Sequence, residues 1–158
     1  MDTGSENPLP ENAAPELHDF YAFWRGLVRR DRLPAREDLN PQALVEQFPG
    51  LALLAVEDGA TGERRYRYLF VGPGHTGAYT FPMVGRTVDD ALPSQAYAAV
   101  SRTYAWVTAQ RRPHYWKRSV SVMGGPISRY ERLIAPLASD GTKVDALIGC
   151  WVWMEPSG

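Results

Sequence analysis

Leu51–Gly72 reads LALLAVEDGATGERRYRYLFVG: two strand-like runs, Leu51–Glu57 and Arg64–Gly72, split by Asp58-Gly59-Ala60-Thr61-Gly62. A connection this short, with two glycines, joins antiparallel neighbours. The same punctuation returns downstream. Three further runs, His114–Val122, Ser128–Ala138 and Lys143–Met154, are split by Met123-Gly124-Gly125-Pro126 and by Ser139-Asp140-Gly141. Between the pair and the triplet lies a long stretch of helical character. The order β-β-helices-β-β-β predicts two meanders in one α+β domain, with the helical middle crossing the sheet and covering one face.

The middle predicts short helical turns at Gly74–Phe81 and Thr87–Ala91, broken by Pro82 and Gly85, and then a long helix, Ser94–Arg112. On that helix Tyr97, Val100, Tyr104 and Val107 share a face. Upstream, Met1 to about Ala14 is rich in Pro, Asn and Glu and reads as a mobile tail. Pro15–Arg30 is a periodic helix with an apolar stripe of Leu17, Phe20, Tyr21, Trp24, Leu27 and Val28. Asn40-Pro41 supplies an N-cap and a first-turn proline for a second, short helix, Pro41–Phe48. The expected organisation is a tail over 1–14, a helical extension over 15–50 and a sheet domain over 51–155.

The last strand has two apolar faces. Val144, Ala146, Ile148, Cys150, Val152 and Met154 alternate with Leu147, Gly149, Trp151 and Trp153. Such a strand needs cover on both sides. The long helix covers one, which leaves the other for the Pro15–Arg30 helix or for a second copy of the chain in a homodimer.

Composition bounds the function. The 158 residues carry 44% hydrophobic and 22% charged side chains with a formal net charge of -1, ordinary for one globular domain. Nothing there favours nucleic acid or an anionic membrane surface. No apolar run reaches bilayer length, and the polar start lacks the core of a signal peptide, so a cytoplasmic location is expected. The lone Cys150 excludes an internal disulfide and a cysteine zinc cluster.

Several blocks together resemble a bacterial PAS-like family of small, often stand-alone proteins. They are Phe23-Trp24-Arg25-Gly26, Arg32–Pro41, Leu53–Glu57, Tyr66–Gly72, Gly85-Arg86, Glu131–Leu137, and Asp140-Gly141 through Val144-Asp145 to Leu147–Gly149. They run in order from about residue 20 to 150. The resemblance implies a five-stranded antiparallel sheet with helices on one face and a pocket between them. It does not imply one activity; the function expected first is a non-catalytic sensor or adaptor in signalling that binds a small molecule or a protein partner, and with no output segment attached a partner protein is expected to carry the signal. It names no cofactor. The rival reading is a cone-shaped, NTF2-like enzyme acting on a small apolar substrate, which normally sets its long helices before the sheet.

Individual motifs are weak. Gly72-Pro73-Gly74-His75-Thr76-Gly77 spells G-x-G-x-x-G but lacks the parallel βαβ unit and the distant acidic residue of a dinucleotide site, so it reads as a tight turn. A haem-binding PAS domain takes its axial histidine from a pocket-facing helix, and Ser94–Arg112 has none; His75 and His114 lie elsewhere. Cys150 sits mid-strand, unsuited to a flavin adduct and better read as a small buried hydrophobe. No chromophore is expected. Glu131 and Arg132 must point to opposite faces of their strand. An inward Arg132 could anchor a ligand carboxylate or phosphate, although an outer-face ion pair is the commoner arrangement. The candidate ligand-binding set is Tyr68, His75, Tyr79, Tyr97, Tyr104, Trp116 and Arg132. Its aromatics, with Tyr66 and Phe70 on the same strand face as Tyr68, suit a pocket wall and a solid core equally.

Overall fold

The computed structural model of the protein describes residues 7–76, 83–92, 94–121 and 127–154, with the backbone alone described at 75–76, 94–95, 120–121 and 127–128. Five strands form one antiparallel sheet: β1 Leu51–Asp58, β2 Arg64–Val71, β3 His114–Ser121, β4 Ile127–Leu137 and β5 Ala146–Met154. Their spatial order is β2-β1-β5-β4-β3, so the two predicted meanders meet edge to edge where β1 pairs with β5. The helices are α1 Pro15–Leu27, α2 Pro41–Gln47, the short α3 Pro73–Thr76 and α4 Val88–Ala91, and α5 Ser94–Gln110. This is the expected α+β arrangement. Among the described residues no helix is long and apolar enough to cross a membrane.

Register assigns the two faces. Directly opposed residues of antiparallel strands share a face. His114, Trp116 and Arg118 of β3 oppose Ile134, Arg132 and Tyr130 of β4. Those three oppose Gly149, Trp151 and Trp153 of β5. On the same face, Leu147 of β5 opposes Leu54 of β1, which opposes Tyr68 of β2. We call this the inner face, because α5 lies over it: Tyr104 meets Tyr66 edge-on at 5.3 Å between ring centroids. Gly149 has a packing reason to lack a side chain, since a Cβ there would sit 2.4 Å from the Trp151 ring folded over it.

The outer face is covered by α1. Leu17, Phe20, Tyr21 and Trp24 are buried, and the Trp24 Nε1–H donates to the Pro136 carbonyl of β4 at 3.0 Å. The apolar stripe is therefore closed within the chain, which is the first of the two covers expected for the two-faced β5.

Four expectations need correction. Residues 9–14 are not a loose tail: Leu9 and Ala13 are buried in the core, and the Ala14 N–H donates to Glu131 Oε1 at 3.2 Å. Helix α1 ends at Leu27, three residues early, because Arg29 and Arg32 exchange backbone hydrogen bonds around a left-handed Arg30 at φ 56. Strand β5 begins at Ala146 rather than Lys143, since Asp140 Oδ1 accepts from the Thr142 and Lys143 amides and holds them in the turn. Phe70 does not share the Tyr66 and Tyr68 face. A register shift between Leu53 and Leu54 pairs Phe70 with Leu53, and the bulge turns it outward.

Candidate functional site

The parity of β4 decides the chemistry of both faces. Glu131 points outward, 7% exposed, and its Oε1 accepts from the Ala14 amide and from the Tyr115 hydroxyl at 2.7 Å. Arg132 points inward and is 1% exposed. The outer-face ion pair that was the commoner expectation is thus not formed. The Arg132 guanidinium stands 4.1 Å from the Trp116 ring centre and 5.8 Å from that of Tyr104. Its Nη1 donates to the His114 carbonyl at 3.1 Å, while Nη2 is buried with no hydrogen-bond partner among the described residues.

That environment is costly for a cation. Taking an ion out of water carries an effective penalty of several kcal/mol, whereas each ring contact returns about 0.5–2 kcal/mol. No carboxylate among the described residues pairs with Arg132; the next guanidinium, Arg118, stacks on the same Trp116 at 4.4 Å and adds like charge. Burial pulls the Arg132 pKa down to about 10, which still leaves it charged at neutral pH.

His114 extends the cluster towards solvent. Its ring lies 5.7 Å from Trp106 of α5 and 5.8 Å from Trp116. Nδ1 is buried without a partner among the described residues. Burial, then the Arg132 charge, push its pKa down to about 4, so the ring is neutral at pH 7 and able to donate or accept. Beside it Arg102, Thr103, Trp106 and His114 line an open cleft of about 390 Å³, with Trp106 itself 42% exposed. That volume lies within the range of small-molecule sites.

The structure gathers Tyr104, Trp116 and Arg132 of the expected set. Tyr68 is buried on the same face, but on β2, three strand spacings from β4 or about 14 Å across the sheet. Tyr97 lies half-buried on α5 against the core. The backbone of His75 belongs to α3, but its side chain lies outside the described residues, as does all of Tyr79. His114, Thr103 and Trp106 were not in the expected set. The signal for His114 was present: it alternates with Trp116 and so had to share its face.

The outer face holds Cys150, opposite Leu133, with its Sγ 3.5 Å from Glu16 Oε2. Burial and the adjacent Glu16 carboxylate raise its thiol well above the usual range, the opposite of a nucleophile's environment. Among the described residues no group of three His, Cys, Asp or Glu is placed to hold a metal ion.

No protein-family model matches the chain, and no curated protein does. Solved structures do. The PAS domain of Bordetella pertussis BvgS is similar over 75% of this chain and 90% of that one, at 18% identity and a TM-score of 0.56. A fungal LOV domain photoreceptor is similar over 86% and 91%, at 13% identity and TM-score 0.47. A point variant of RsLOV is similar over 69% and 63%, at 15% and 0.46. At these identities the likeness concerns the fold, and of the three the BvgS domain alone is close enough to carry it. The chain has a PAS-like fold.

Proposed function

We propose that this PAS-like domain is a non-catalytic sensor module that binds a small molecule between the inner sheet face and α5. The observation that carries the reading is the buried Arg132 with an unused donor, set among aromatic rings one residue contact from an open cleft. A core built only for stability places apolar side chains at such positions, because an unpaired buried charge is destabilising. A binding face tolerates the cost, since the ligand offsets it. Occupancy then biases the packing of α5 on β3 and β4, and a partner protein reads the change.

Native mass spectrometry of protein purified without dialysis tests the reading. The wild type is expected to carry a small-molecule adduct that is lost on denaturation. Thr103→Phe fills the cleft from the helix side and should abolish the adduct while melting at the temperature of the ligand-free wild type. A wild type without any adduct, or an adduct retained by Thr103→Phe, would count against it.

A further inference from the structure

Resting on that reading, we infer that the ligand is a small organic monocarboxylate, its carboxylate neutralising Arg132 and its apolar body lying against Trp116 and His114. Three observations set the class. Among the described residues the charge held out of water at the site is single: Arg132 is the buried cation, His114 is neutral beside it, and Arg102 at the cleft and Arg118 on Trp116 are both exposed to solvent. One negative charge therefore suffices, and a doubly charged phosphate would leave an excess charge out of water.

The unused polar atoms are few and lie together. Arg132 Nη2, His114 Nδ1 and Trp116 Nε1 are buried without partners among the described residues, on adjacent strands of one face. A guanidinium N–H beside a neutral imidazole and an indole N–H suits the oxygens of a carboxylate.

The walls are aromatic and flat. Trp116 stacks on Arg132, His114 stands edge-on to both Trp106 and Trp116, and Tyr104 closes the opposite side. Such walls accept a planar or short aliphatic body. Among the described residues they offer no carboxylate to recognise an amine, which argues against an amino acid.

A calorimetric titration with a panel of probes tests the class: acetate, benzoate, indole-3-acetate, inorganic phosphate, and benzamide as the neutral isostere of benzoate. At least one carboxylate should bind, with benzamide at least about tenfold weaker and phosphate without measurable heat. Arg132→Met should lose the carboxylate response while melting at the same or a higher temperature in the absence of ligand, because it removes a buried unpaired charge. Arg132→Lys, which keeps the charge, should retain weakened binding and serves as the control for folding. The inference falls if benzamide binds as well as benzoate, if phosphate binds more tightly than every carboxylate, or if no carboxylate binds. It also falls if Arg132→Met melts lower and binds unchanged, the mark of a structural arginine. A neutral or cationic adduct in the native mass spectrum, lost in Thr103→Phe, would overturn the carboxylate while leaving the sensor reading standing.

Discussion

His114 is the residue through which solvent pH reaches the inner face. Its folded-state pKa of about 4 lies below the ordinary value of 6.5. The unfolded chain thus binds the proton more readily. The stability tied to the neutral ring is complete above about pH 6.5 and is lost as pH falls towards 4. The ring is in part solvent-exposed, so the full shift is discounted to a loss on the order of 2 kcal/mol. His114→Asn keeps a polar group near the Nδ1 position without a titrating proton. Denaturant melts at pH 7 and pH 4 should therefore show the wild type losing about that much more than the variant; parallel losses would mean that His114 is not held neutral by the fold. At this scale the sequence was half legible. That Glu131 and Arg132 point oppositely follows from strand periodicity alone, but which one points inward does not. Leu133, Ile134 and Ala135 beside them are all apolar, so the alternation carries no inside–outside contrast.

Among the elements, α1 does for the outer face what α5 does for the inner. Trp24 is its anchor, buried at 1% exposure and hydrogen-bonded to the Pro136 carbonyl. Trp24→Ala should lower stability by about 3–5 kcal/mol, read as a shift of the urea midpoint; a loss under about 1 kcal/mol would show that the helix does not pack on β4 and β5 as described. The elements were the most legible level. Strand order in sequence, the Asn40 cap of α2, whose side chain accepts from the Ala43 amide, and the apolar stripe of α1 were all readable from residue spacing. What escaped were features set by pairing across distance. The bulge that turns Phe70 outward depends on the register of β1 against β2. The late start of β5 depends on how Asp140 spends its acceptor. The burial of Leu9 and Ala13 depends on the outward Glu131, which bonds the chain at Ala14 from 117 residues away.

For the whole molecule, the two faces of one sheet are covered differently. The outer face is covered by α1, with the one buried carboxylate among the described residues, Glu131, satisfied by two donors. The inner face is left with polar atoms that the described residues do not satisfy. The proposed sensor reading puts binding under α5 and leaves the N-terminal helix to stability. The five tryptophans report on it directly, since Trp24 lies on the outer face and Trp116 on the inner. The decisive measurement is a proton–nitrogen NMR titration of the labelled protein with benzoate, following the indole N–H signals and the Arg132 side chain. The account predicts that Trp116, Trp106 and Arg132 signals move together and saturate while Trp24 stays fixed. Movement centred on Trp24, or a spectrum unchanged by benzoate and by every other carboxylate of the panel, would contradict it.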